Sequence, residues 1–392
     1  MKRFPLSMFV CILLLLSAIM LVTAKTAQAA FALSTNWQIV NSPNMGSDNN
    51  QVTALSAVSS NDVWATGSFT IPGTQTSNGL IEHWDGSQWS TIPNPNPGSR
   101  SYFIKAVSAV SANDVWVVGF TAQQNGKNHR TLTEHWDGSQ WSIISSRNAG
   151  TQDNFLEGVE AISTSNVWAV GLGISKSGGS SQILHWNGTQ WKEVPSPKPA
   201  GAAFYSLGEA RAVSANDIWS VGSAANNNGL FQTLIEHWNG TQWNIVPSPN
   251  VGSNNNFLYS VTAISANDVW AVGTSTDSSN NDRTLTLHWD GTQWSVVPSP
   301  NIGSQTNDLF EVAAASATDI WTVGRYINNS NVSQTLIQHW DGTQWSIIPS
   351  PNVDLGNNIL QGLTVISSND VWAVGEYTNS GNINRTLIEH CC

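Results

Sequence analysis

Apolar residues in this chain come in short runs separated by polar breaks. In residues 256–300, Leu258, Val261, Ala263 and Ile264 mark a first run over Asn256–Ser265. Ala266-Asn267-Asp268 then breaks it, because Asn and Asp bond back to their own backbone in turns. Val269 to Thr274, rich in Val and Trp, reads as a second strand, and Thr274 to Arg283 as a polar loop. Thr and Leu alternate through Thr284–Trp289, the pattern of a strand with two unlike faces. Asp290-Gly291 predicts a two-residue hairpin turn with positive φ at both positions. Trp294 to Val297 is the fourth strand, and Pro298 and Pro300 stop it because proline cannot donate to a ladder. Nothing in the unit has helical periodicity.

The unit recurs seven times. Asn-Asp-Val-Trp-Ala-Val-Gly or a close variant places its Trp at 64, 116, 168, 219, 270, 321 and 372. His-Trp-(Asp/Asn)-Gly-(Ser/Thr)-Gln-Trp begins at His83, His135, His185, His237, His288 and His339. A steady period near 50 means a repeat architecture. Four short strands per repeat predict an all-β fold, a seven-bladed β-propeller of four-stranded blades. A stacked solenoid would need atypical capping units at its ends. Here the ends match each other instead. The seventh unit lacks its fourth strand, and Asn36-Trp37-Gln38-Ile39-Val40 copies Gln242-Trp243-Asn244-Ile245-Val246. The N-terminal strand is therefore expected to complete the last blade beside Thr386 to His390, leaving the ring without a free edge.

The units resemble the Trp-Ala-Val-Gly/His-Trp-Asp-Gly propeller repeats of secreted bacterial proteins. They resemble more loosely the regulator-type propeller repeats of bacterial sensor ectodomains, in the motifs Trp64–Gly67 and Trp84-Asp85-Gly86. The likeness covers residues 36–390 and implies the fold. Other propeller signatures fit less well. Asp85 and Gly86 are adjacent, where a sialidase Asp-box separates them. Gly67 stands alone where a kelch unit has a glycine pair, and the upstream Gly-His of WD repeats is absent.

Lys2, Arg3, the apolar run from Met8 to Val22 and Ala27-Gln28-Ala29 make residues 1–29 an expected export signal, with 30–392 a single domain. Secretion follows, with no membrane span after cleavage. The chain has 15 basic and 26 acidic residues, and losing Lys2, Arg3 and Lys25 deepens the deficit. So acidic a surface repels phosphate backbones and argues against nucleic acid as a partner. Besides Cys11, the cysteines are the adjacent pair Cys391 and Cys392, so no disulfide framework braces the fold. A bond between neighbouring cysteines is strained, and separate thiols or an intermolecular link are expected.

The recurring Trp are expected to pack between blades rather than form sugar platforms. The recurring His stand one per blade, too dispersed for a metal site, and read as hydrogen-bonded strand residues. Function is sought in the departures between copies. The first strands keep their apolar columns but vary between them, placing Lys105, Glu157, Glu160, Glu209, Arg211, Tyr259 and Glu311 where a propeller lines its central channel. These are the candidate ligand-binding residues. Loops 69–79, 120–130 and 325–334 vary too, on a face suited to binding. No catalytic set, cofactor motif or metal signature is present. The expected function is non-catalytic binding of a glycan or protein at the loop face or channel mouth. The alternatives are a carbohydrate-active enzyme using the inner-strand carboxylates, and a structural surface protein.

Overall fold

The computed structural model describes residues 36–95, 101–122 and 128–391; the expected signal sequence lies outside them. Every regular element among the described residues is a strand, 28 in all. They form seven antiparallel units of four strands, each running from an inner first strand to an outer fourth strand. Five units are separate sheets. The third and fourth join through a single parallel bridge, Gly179 to Phe204. The fold is the seven-bladed propeller that the period predicts. In the unit read above, the strands are Asn256–Ser265, Asp268–Thr276, Asp282–Trp289 and Trp294–Val296.

The ring closes as the matching ends predict. Gln38 pairs with His390 and Ile39 with Glu389, so the N-terminal strand is the outer strand of the last blade. Val40 N–H adds a bond to Ile388 O at 2.8 Å. Cys391 is buried in this blade's core and disulfide-bonded, which corrects the expectation of separate thiols. No helix among the described residues is long and apolar enough to cross a membrane.

Tryptophan holds blade to blade. Trp64 meets Trp136 and Trp141 of the next blade at centroid distances of 5.5 and 5.6 Å. Trp372 of the last blade meets Trp84 and Trp89 of the first at 5.0 and 5.5 Å. The burial of such rings supplies a large share of the apolar stabilisation. Each repeat histidine donates or accepts at Nε2 with the Asp or Asn two residues before its blade's Trp, at 2.7–2.9 Å. The imidazole also lies over that Trp, 4.0 Å away in the pair Trp372–His390. Asp, Trp and His thus lock the second strand to the third within one blade.

The hairpin between third and fourth strands differs from the sequence expectation. Only the glycine has positive φ, as at Gly86 with φ 92°. Asp85 stays on the ordinary side, and its Oδ1 accepts Ser87 N–H, Ser87 Oγ–H and Gln88 N–H at 2.8, 2.6 and 2.9 Å. Asp85 N–H closes the loop on Gln88 O at 3.3 Å. The side chain therefore builds a four-residue turn, and a two-residue turn is not needed.

At the inner edge, each first strand carries a bulge directly after its first apolar core residue, as between Leu258 and Ser260 or between Leu207 and Glu209. The second strand crosses there closely: a Cβ on Gly273 would sit 2.0 Å from Phe257 O. That contact requires glycine and explains the single Gly of the Trp-Ala-Val-Gly motif.

Candidate functional site

The seven first strands converge on the axis and leave a cavity of about 630 Å³. Its walls include Lys105, Glu157, Glu209, Arg211, Tyr259 and Glu311, six of the seven sequence-predicted residues. Glu160 is not in the wall but reaches Arg211, Oε2 to Nη1, at 3.8 Å. The cavity is also lined by Leu172, Ser223 and Arg325, near the ends of second strands. Those ends pair with the starts of first strands, as Arg325 does with Asp308. The cavity therefore opens on the face that carries the second-to-third loops and the fourth-to-first connectors.

The residues fall into two tiers. The outer tier, at the mouth, holds Lys105, Glu157 and Tyr259 with Phe310, Gln361 and Arg325. Lys105 Nζ lies 3.6 Å from Glu157 Oε2, each side chain more than a third exposed. Tyr259 is exposed, with its ring 5.8 Å from Phe310. The Arg325 guanidinium stands 6.0 Å from the Phe310 centroid while its Nε donates to Asp308 Oδ2 at 2.8 Å. Phe310, Gln361 and Arg325 were not legible as site residues in the sequence. Phe310 reads as core, although it occupies the repeat position of Lys105, Glu157 and Tyr259, and that equivalence is the signal that marks it. Arg325 lies on a second strand.

The inner tier is a guanidinium among three carboxyl groups. Arg211 Nη2 meets Glu209 Oε1 at 2.5 Å and Glu311 Oε1 at 3.5 Å, and Nη1 meets Glu160. Burial and the neighbouring Glu209 charge push the Glu311 carboxyl well above the usual range. Burial also raises Glu160, against the pull of Arg211. Both shifts favour the neutral carboxyl over a third and fourth charge beside one guanidinium.

The same side chains stitch neighbouring blades. Ser56 and Ser108 each accept a backbone N–H from the next blade, Ala109 at 3.0 Å and Ala161 at 2.9 Å. Glu160 takes that place for Ala212 N–H at 3.0 Å. One pleat along, Glu209 accepts Val261 N–H at 3.3 Å and Ser260 Oγ accepts Val312 N–H at 3.1 Å. Ser260 in turn donates to Glu311 at 3.0 Å. Replacing Arg211 by Gln leaves three carboxyls facing one another and is expected to cost about 3 kcal/mol. Adding Glu311→Gln relieves the crowding. A urea double-mutant cycle checks this, with a coupling above roughly 1 kcal/mol expected and additivity refuting it.

No known protein-family pattern matches the chain, and no curated protein sequence does. Solved structures show the fold at low identity. The chain is similar to YCF48 bound to D1 peptide, at 14% identity and TM-score 0.56, with 93% of this chain and 99% of that one covered. A polysaccharide lyase, PL25-Ulvanlyase bound to -[GlcA(1-4)Rha3S]-, matches at 10% identity and TM-score 0.53, covering 90% and 95%. A protein of unknown function from Dyadobacter fermentans DSM 18053 matches at 10% identity and TM-score 0.50, covering 91% and 98%.

Proposed function

We propose that this protein is a secreted, non-catalytic binding propeller whose ligand enters the channel mouth from the loop face. The observation that carries this reading is the division of the channel into two tiers. The mouth offers an exposed aromatic ring, a half-exposed ion pair and free space, the mixture that ligand sites use. The inner carboxyls are already engaged in blade-to-blade bonds. Propellers of this shape hold a peptide in one solved structure and an anionic sugar in another, which suits a glycan or protein ligand. Secretion rests on residues 1–29.

The test is binding of the purified chain from Ala30 onward to glycan and peptide arrays. A selective ligand is expected, with affinity falling at least about tenfold in Tyr259→Ala, as for loss of a central aromatic contact. No ligand on either array refutes the reading and leaves a structural surface protein.

One observation favours a second reading. A Glu311 carboxyl raised by burial and by the neighbouring Glu209 charge is the kind of group an acid/base enzyme uses on carbohydrate. Turnover of an array ligand that is abolished by Glu311→Gln while binding persists would establish it.

A further inference from the structure

The cations of this acidic protein are not evenly used. The described residues hold ten Lys and Arg side chains. Lys105, Arg211, Arg283 and Arg325 sit in ion pairs. Arg385 donates to the carbonyls of Gly46, Ser47 and Asp48. The remaining five, Arg130, Arg147, Lys176, Lys192 and Lys198, make no ion pair or side-chain hydrogen bond among the described residues. All five lie in the second and third blades and the connectors that leave them.

Four of these five share the loop face. Arg130 opens the third strand of the second blade, Arg130–Trp136, and Lys176 sits in the turn between Asn166–Ser175 and Gly178–Trp186. Arg147 and Lys198 lie on the connectors that follow the second and third blades. The backbone bonds bring the first of these together: Thr131 Oγ1 donates to Arg147 O at 3.2 Å, and Gln182 of the third blade donates to the same carbonyl at 2.7 Å. Arg147, Lys176 and Lys198 are exposed. Arg130 stands near Asp153, whose carboxylate His129 already binds at 2.9 Å. Lys105, in the channel wall of the second blade, continues the sector inward. The other blades of the same face carry Asp48, Asp277, Asp282, Asp308 and Asp354, and their arginines are spent on Asp277, on Asp308 and on backbone carbonyls.

We propose that this cationic sector binds an acidic polysaccharide built on uronic acid rings, laid across the second and third blades with one ring at the channel mouth. This rests on the channel-mouth reading above and names its ligand class. Three features favour that chemistry. Arginine and lysine pair with carboxylate groups, arginine in a two-pronged geometry. Sugar hydroxyls find Asn, Ser, Thr and Gln over the loop face, and a ring finds Tyr259 and Phe310 at the mouth. One charge per ring is sparse enough to approach a protein whose net charge is strongly negative, whereas a densely charged polyphosphate chain is repelled by the rest of the surface.

The experiment is calorimetric titration of the chain from Ala30 onward with polygalacturonate, at about 50 and about 300 mM NaCl, the range over which counterion release weakens such contacts. Binding is expected, weaker by at least about tenfold at the higher salt. The triple variant Arg130→Gln/Arg147→Gln/Lys176→Gln is expected to lose about tenfold or more at low salt, since each lost contact removes a salt-dependent increment. Lys192→Gln, on the outer rim strand Trp191–Val194, is expected to bind as the unaltered protein does. Absence of binding, or a triple variant that binds normally, overturns the proposal. Equal binding of dextran sulfate or duplex DNA overturns the uronate assignment and leaves a general polyanion surface. The two readings separate cleanly. If Tyr259→Ala weakens binding and the triple variant does not, the mouth stands and the sector falls. If only the triple variant weakens binding, the sector stands and the mouth falls.

Discussion

Calorimetry is expected to give a Tm at about pH 8.5 at least about 10 °C below the Tm at about pH 5, an inversion of the usual carboxylate behaviour. The cause is a set of buried glutamates on the third strands. Glu82, Glu134, Glu236 and Glu389 are fully buried. Among the described residues, neither carboxyl oxygen of Glu82 or Glu389 has a hydrogen-bond partner, and Glu134 and Glu236 each leave one oxygen unpaired. Removal from water therefore pushes Glu82, Glu134 and Glu389 up to about 8 and Glu236 up to about 7, from an ordinary value of 4.5.

The sign follows from the direction. A raised carboxyl stays protonated in the fold while the unfolded chain ionises, so its contribution is whole below about pH 4.5 and is lost as pH rises toward 8. A group that holds its proton two pH units beyond its unfolded value contributes about 2.7 kcal/mol, and four groups act together. Burial raises Glu160 and Glu311 in the same direction. On the acid side, the hairpin bonds hold Asp137 and Asp290 near 2, so their contribution, present above the ordinary 3.8, is lost as pH falls toward 2. His185, lowered by burial, loses stability as pH drops below 6.5, but it is one group against four. Maximum stability is expected near pH 4 to 5. The repeat supplies its own control, because the equivalent position is Leu184, Leu287 or Gln338 in three blades. Gln338 fits by donating to Pro300 O at 2.8 Å. Glu82→Gln with Glu389→Gln should raise the Tm at pH 8.5 and leave it nearly unchanged at pH 5. A flat Tm between these pH values in the unaltered protein refutes the account.

Those glutamates show where sequence reading stops. Period, strand order, blade number and ring closure were legible because each depends on spacing, and spacing survives in the linear chain. Trp64 and its equivalents were assigned to blade packing for the same reason: a residue repeated in every copy serves a need that every copy has. Glu82 was not legible. It sits in a strand where Leu184 or Gln338 serves equally, and alternation does not say which face is covered by the neighbouring blade. The channel residues were found because charge is rare in this chain and departures from the repeat stand out. Their division into a mouth and a stitching layer was not legible, because Glu157 and Glu160 are three residues apart and only the bulge beside Gly158 separates their roles. The turn at Asp85 misled for a related reason. Asp-Gly is a signal for two kinds of turn, and the choice is made by Ser87 and Gln88, which bond to the Asp side chain.

Deleting residues 36–44 is expected to open the ring and cost more than any single core substitution. Three contributions are lost together. Trp37 is buried against Trp321 at 5.8 Å in an edge-on pair, and truncating such a residue alone costs about 3–5 kcal/mol. The bonds from Gln38, Ile39 and Val40 to the last strand disappear. So do Ser42 Oγ to Thr386 at 2.7 Å and Thr386 N–H to Asn44 at 3.1 Å. The third contribution is topological. This segment runs from the outer strand of the last blade directly into the inner strand of the first, so it ties the two ends of the chain across the only interface that no other covalent link spans. Without it, Trp372 still meets Trp84 and Trp89, but the ends separate at the cost of no more than that one blade interface, and the chain gains freedom as they do. The bared edge of Asn384–Cys391 then presents unpaired backbone groups to other molecules. Size-exclusion chromatography is expected to show oligomers, and the Tm to fall by more than about 10 °C, several kcal/mol for a domain of this size. Trp243→Ala is the matched control. It removes the same ring from an interior blade, at about 3–5 kcal/mol, while leaving every edge paired. A deletion variant that stays monomeric and is no less stable than Trp243→Ala would show that the N-terminal strand decorates a ring already closed by tryptophan packing alone.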